Sequence, residues 1–369
     1  MSCLASSIAV PGSAQDEAAE VEAEDVAARF GARSSVLDIS LSPSGTKVAW
    51  VAAGPEHSEV LNVVDLAGPG SVKQIAKNTE VTSDLSWCRW ATDERLVCQV
   101  DGMGKAPDGT LIGFDRMFAI DYDGTEIESL SERRSLRAFG FNQSGGSVVA
   151  FDVAGEDGRI LLTKTYLKEN STGTRLANEK EGLGVDQIDV NTGRRRVEEQ
   201  PDDGAMRYIA DELGEVRIKA RAKYDLNGML TGDYYYYFRA PDSRHWQELA
   251  DISLDGKPVE GFLPVAVDAA RNSAFGFTSV GGFTALAEVP LSNPRAGKVV
   301  FARDDVDVDG LIRIGRQRRV VGASYATEKR SVAYFDDELA TLARALGRRC
   351  RISRSSISPA LALTKASCW

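Results

Sequence analysis

Few residues in this chain could serve as the histidine base or elbow serine of a hydrolase, and their settings constrain the chemistry available. Only two histidines occur among 369 residues, His57 and His245. Each stands in a polar, turn-forming run, 54–58 (GPEHS) and 242–246 (DSRHW), so both read as solvated loop side chains rather than bases. His57, Ser58 and Glu59 adjoin in sequence, but adjacency does not build a relay, because a triad needs side chains that converge in space. A hydrolase serine sits on a G-x-S-x-G elbow, and none occurs. Ser144 in 140–146 (GFNQSGG) comes nearest, with its first glycine four residues ahead and a hairpin turn around it.

Metal and phosphate chemistry fare no better. No His or Cys pair has zinc-ligand spacing. Asp305, Asp307, Asp309 and Gly310 match the first half of a calcium loop, but position twelve is Arg316, where a bidentate Glu is required. The run 304–310 therefore reads as an acidic loop. Gly102, Gly104 and Lys105 resemble part of a phosphate loop without its upstream glycine or its Ser/Thr. The tyrosines 234–237 could stack on ligands, yet alternating strand faces make packing the simpler reading. We expect no catalytic, cofactor-binding or metal-ligating residue and no cofactor.

Composition narrows the partners. With 44 Lys and Arg against 54 Asp and Glu, the net charge is −10 and no basic face is concentrated, which argues against nucleic acid. No apolar run approaches the roughly eighteen residues of a membrane span. A content of 43% hydrophobic and 27% charged residues suits a folded core. The length fits two or three domains, or one long all-β domain.

The elements that must position these residues follow a repeat. A polar turn cluster leads into a β-rich run six times, beginning at Ser42, Ala91, Asn142, Asp211, Asp268 and Gly315. Companion strands follow, several ending in Asp-Gly or Asn-Thr-Gly, residues that accept the positive φ of tight hairpins. Units of about four strands recurring roughly every fifty residues read as blades of a β-propeller. The fold class is thus all-β, with about six four-stranded blades. One helix is expected, from Asp337 to Leu346.

The repeat also bears on the five cysteines. A hairpin turning at residues 92–94 sets Cys88 directly opposite Cys98, close enough for a disulfide. The alternative is two core thiols in a reducing compartment. Residues 1–15 resemble the end of a secretory signal, lacking a basic n-region, so the chain reads as periplasmic or exported, with a cytoplasmic leader as the alternative. Beyond Glu338 there is no acidic residue, while Arg344, Arg348, Arg349, Arg351, Arg354 and Lys365 accumulate. We read 1–34 as leader and acidic linker, 35–347 as propeller, and 348–369 as an aberrant basic tail, disordered or frame-shifted.

Four stretches resemble the prolyl oligopeptidase (S9) family: 37–49 (LDISLSPSGTKVA), 87–90 (WCRW), 173–184 (GTRLANEKEGLG) and 308–330 (VDGLIRIGRQRRVVGASYATEKR). The last three look like exported S9-type peptidases of sphingomonad-like bacteria, a group that includes isopeptidases acting on lasso peptides. The resemblance, over about residues 30–347, implies a seven-bladed propeller that gates peptide access to a C-terminal α/β-hydrolase. Neither a seventh blade nor the hydrolase is found here, so no family catalytic residue has a counterpart. The expectation is a truncated, non-catalytic propeller that meets a peptide or protein segment at its axis and could associate through an unclosed sheet edge. A stand-alone binding propeller is the alternative; a propeller lactonase or glycosidase is a weaker third.

Overall fold

A computed structural model describes residues 30–349, except 107, 132–136, 140–141, 172–176, 254–260 and 317. The signal-like leader, the tail from 350 onward, and Cys3, Cys350 and Cys368 lie outside the described residues.

Six antiparallel sheets follow one another along the chain as the blades of a propeller. Blade one is Asp38–Leu41 (β1), Lys47–Ala53 (β2), Glu59–Asp65 (β3) and Val72–Asn78 (β4). Blade two is Ser83–Trp90 (β5), Arg95–Lys105 (β6), Leu111–Asp121 (β7) and Glu128–Ser129 (β8). Blade three is Val148–Ala150 (β9), Arg159–Tyr166 (β10), Gly182–Asp189 (β11) and Arg195–Asp202 (β12). Blade four is Ala205–Ala210 (β13), Val216–Tyr224 (β14), Leu230–Phe238 (β15) and Gln247–Ser253 (β16). Blade five is Leu263–Asp268 (β17), Ser273–Val280 (β18), Phe283–Pro290 (β19) and Lys298–Phe301 (β20). Blade six has three described strands, Val308–Ile314 (β21), Arg319–Ala326 (β22) and Arg330–Tyr334 (β23).

The expected helix forms and runs further than anticipated, over Asp337–Arg349 (α1), packed on β23. Asp336 caps it, its carboxylate accepting from the Glu338 and Leu339 amides.

The blade frame holds at five of the six positions. In blades one, two, four, five and six the polar cluster is the turn between the first and second strands. In blade three the cluster at Asn142 instead precedes the first strand, β9, and the equivalent turn is residues 151–158. Ser144, Gly145 and Gly146 imitate turn chemistry, but these glycines serve close backbone approach. Gly146 has φ +103, and a Cβ on it would meet the Thr163 carbonyl at 2.3 Å.

Packing explains the strand sequences. Leu96, Cys98 and Ile120 of blade two meet Ala49, Val51, Leu61 and Val63 of blade one. The alternate residues Val97, Met117 and Ala119 meet Ile160, Leu162, Ile188 and Val190 of blade three. A blade sandwiched between two others buries both faces, so its central strands read as continuous apolar runs. In blade one, β2 and β3 instead bury alternate residues. Their other face lacks such a neighbour: among the described residues no core cluster joins blade six to blade one, whereas clusters join every consecutive pair. The tyrosine run obeys the same rule, with Tyr234, Tyr236 and Phe238 turned into the core shared with blade five.

Cys88 and Cys98 are register partners across β5 and β6, with Cα atoms 4.1 Å apart, and form a disulfide enclosed in the core between blades one and two. Replacing both cysteines by alanine is expected to remove about 2–3 kcal/mol of stability through lost loop closure. The melting temperature should fall by about 4 °C. Thermal unfolding of the non-reduced protein checks this, and an unchanged melt would argue against the bond.

Candidate functional site

The polar turns that mark the repeat also stitch neighbouring blades. Asp93 of blade two accepts from the Ser44 amide at 2.9 Å, and Glu94 takes Lys47 Nζ at 2.7 Å. Arg95 Nε donates to the Val190 carbonyl at 2.9 Å, joining blade two to blade three. The Ala154 amide donates to the Leu213 carbonyl, joining three to four. Glu212 accepts from the Ala269 and Ala270 amides, joining four to five. Arg313 Nη2 donates to the Val265 carbonyl at 2.6 Å, joining five to six.

The turn of blade six departs from this order. Gly315 has φ +69 and Arg318 φ +53, left-handed values that fold the 315–318 turn tightly. Arg316 then reaches blades two and three: Nε meets Asp152 Oδ1 at 2.6 Å, Nη1 meets the Trp90 carbonyl at 3.2 Å, and Nη2 donates to the Ala91 carbonyl. A side chain from one end of the blade series is thus a strut to the second and third blades.

Beside this strut lies a channel of about 610 Å³, within the usual range for ligand sites. Its wall comprises β9, β13 and the Val265–Val267 part of β17, together with Arg207, Arg313, Arg316 and Arg318. Strands β9, β13 and β17 are each the edge of their sheet, so one row of backbone groups on each has no partner strand within its blade.

The charge along this wall opposes that of the whole chain. Three acids line the channel, and each is already committed. Asp152 pairs with Arg316, Asp211 with buried Arg217 at 3.1 Å, and Glu212 with the two backbone amides. Arg313 has no carboxylate partner among the described residues, and its enclosed Nε makes no hydrogen bond. Burial, followed by the nearby charges of Arg318 and Arg207, pulls the Arg313 guanidinium down to about 10. Arg318 reaches solvent, but partial desolvation, and then Arg89, lower it likewise. A second cavity of about 660 Å³, between blades three and four, differs in having paired charges: Lys219 and Arg221 with Asp202, and Arg239 with Glu199.

The residues singled out in sequence do not converge. His57 (φ +71) stands exposed in a turn, and His245 stands exposed in the loop leading into β16. Ser144 donates weakly to Asp115, at 3.4 Å, on the channel wall. In the acidic run, Asp305 pairs with Arg303, Asp307 accepts from the Thr284 amide, and Asp309 takes Ser324 and Arg330. These carboxylates thus turn to four different neighbours. The residues 102–105 lie within β6. The channel arginines were not foreseen; the only signal was the run 316–319 (RQRR) at a blade turn.

Glu59, two residues after His57 in sequence, proves structural. Its fully enclosed carboxylate accepts from Asn78 Nδ2 at 2.9 Å, the Leu85 amide at 3.2 Å and Arg33, fixing the chain's approach to blade one. Burial alone would raise its pKa; the Asn78, Arg33 and Leu85 hydrogen bonds outweigh that and hold it below 4.5. A depressed carboxylate contributes stability above its unfolded value, and that contribution is lost as pH falls through the folded value. Glu59→Gln should therefore be less stable than the parent at neutral pH, the gap closing below about pH 4. Denaturant titrations across pH would show this, and a gap constant with pH would contradict it.

The structure thus defines a six-bladed β-propeller with an arginine-lined channel. The same fold occurs in the propeller domains of S9 peptidases. Prolyl oligopeptidase B from Galerina marginata, bound to a 25mer macrocyclization substrate, superposes with a TM-score of 0.50 at 11% identity, covering 86% of this chain and 45% of that one. An acylaminoacyl peptidase in complex with Z-Gly-Gly-Phe-chloromethyl ketone gives 0.45 at 11%, covering 81% and 43%. The β-propeller domain of the Trilobed protease from Pyrococcus furiosus gives 0.35 at 14%, covering 80% and 83%. The chain therefore spans less than half the length of the two full peptidases, and the likeness is one of fold. No protein-family model and no curated protein matches the chain. Among the described residues no helix is long and apolar enough to cross a membrane.

Proposed function

We propose that this chain is a non-catalytic propeller module of S9-peptidase type, which admits peptide segments to its axial channel and restricts which of them pass. The observation that carries this reading is the channel itself, bordered by three edge strands along which an extended peptide could lie. The enclosed disulfide supports residence in an oxidising compartment, periplasmic or extracellular. Residues 35–347 are the folded unit on this reading, and no residue is assigned a catalytic role.

The test is a binding titration with fluorescent, unstructured peptides of about ten residues, using the parent and Ala150→Trp, which fills the channel from β9. Saturable binding to the parent and its loss in the variant are expected, with no labelling by a fluorophosphonate serine probe. Equal binding by both proteins, or stoichiometric labelling of one serine, would refute the reading.

A further inference from the structure

We propose that the channel selects its peptide by a carboxylate, captured by Arg313 together with Arg207 and Arg318. This deepens the peptide-binding reading and rests on it. Guanidinium groups bind carboxylates through two parallel N–H donors, and they do so best where water is scarce.

Four observations converge on such a ligand. Arg313 has an enclosed Nε with no hydrogen-bond partner, an arrangement that costs free energy until an acceptor arrives. Arg207 and Arg318 line the same channel as Arg313, and their charges depress its guanidinium. Like charges so crowded are relieved by a bound anion. The three acids on the wall are spent on Arg316, Arg217 and backbone amides, so none of them supplies that anion. Finally, the edge strand β13 carries Arg207 itself, beside the polar Ser147, Thr163 and Thr165 of blade three. A peptide extended along that edge would present its carboxylate to the arginines while its backbone pairs with the strand.

The carboxylate can come from a C-terminus or from an Asp or Glu side chain, and the probes separate the two. Calorimetric titrations would compare N-acetylated hexa-alanine with a free C-terminus, its C-terminal amide, and an amide containing one internal Asp. At least one carboxylate peptide should bind about ten-fold or more tighter than the neutral amide. Loss of binding on amidation assigns the terminus; rescue by the internal Asp assigns the side chain.

Arg313→Met should weaken the carboxylate peptide about ten-fold, and the exposed Arg207→Gln and Arg318→Gln several-fold each. These two surface variants keep the test decisive if Arg313→Met does not fold. Arg295→Gln, on an exposed turn of blade five, should leave the affinity unchanged. Peptides that bind well regardless of carboxylate, or arginine variants that do not alter affinity, overturn this proposal while leaving the peptide-binding reading intact. Inhibition by inorganic phosphate without discrimination among the peptides also overturns it. Failure of every peptide to bind overturns both.

Discussion

Replacing Arg217 by alanine is expected to destabilise the propeller by about 3–5 kcal/mol, because it leaves an uncompensated buried carboxylate. Arg217 and Asp211 are each only 1% exposed, and their ion pair spans 3.1 Å. The guanidinium also donates to the Arg239 carbonyl at 3.0 Å and to Asn272 Oδ1 at 2.6 Å, so one side chain ties two parts of blade four to blade five. Asp211 meanwhile accepts from the Leu213 and Glu215 amides, which shape the turn. Removing the cation strands all these acceptors at once. Urea unfolding of Arg217→Ala, Asp211→Ala and the double variant would measure the coupling, with the double variant losing less than the two singles added together. A loss below about 1 kcal/mol for Arg217→Ala would be incompatible with this account.

Gly214→Ala should be nearly as damaging, by about 3 kcal/mol or more, through two separable causes. Gly214 holds φ +78, where an L side chain is strained by about 1–2 kcal/mol. An added Cβ would also lie 2.0 Å from the Asp152 carbonyl and 2.9 Å from Val153 Cα, both backbone atoms of the neighbouring blade. These atoms cannot rotate away, so blades three and four must part. Gly228 isolates the first cause, having φ +76 with nothing within 4 Å of the position a Cβ would take. Gly228→Ala should therefore cost only about 1–2 kcal/mol, and equal costs at the two positions would show that close blade contact is not what requires Gly214. Displacing Asp152 would also loosen the Arg316 strut beside the channel.

The blade repeat was legible because its signals are local. Turns such as 211–215 and 268–272 need Asp, Asn or Gly for their own hydrogen bonds and left-handed residues, whatever the rest of the chain does. The same locality let hairpin register pair Cys88 with Cys98. Blade three misled for a related reason. Ser144 to Gly146 have turn composition, but their glycines serve close backbone approach, Gly146 against Thr163, which composition does not distinguish from a hairpin.

The channel was hidden by distance. Arg316 meets Asp152 and the carbonyls of Trp90 and Ala91 across more than 160 positions of sequence, and no local pattern encodes such a meeting. Likewise Arg207 and Arg313 belong to different blades, and each alone is an ordinary strand arginine.

By itself, then, the spacing of polar turns determined a propeller of about six blades. That property depends on residue types and short-range backbone geometry. Tertiary structure alone decided that an acidic chain carries a basic channel. The packing of blades spends the channel's acids on two arginines and on backbone amides, and it leaves Arg207, Arg313 and Arg318 together at the wall with no carboxylate of their own among the described residues.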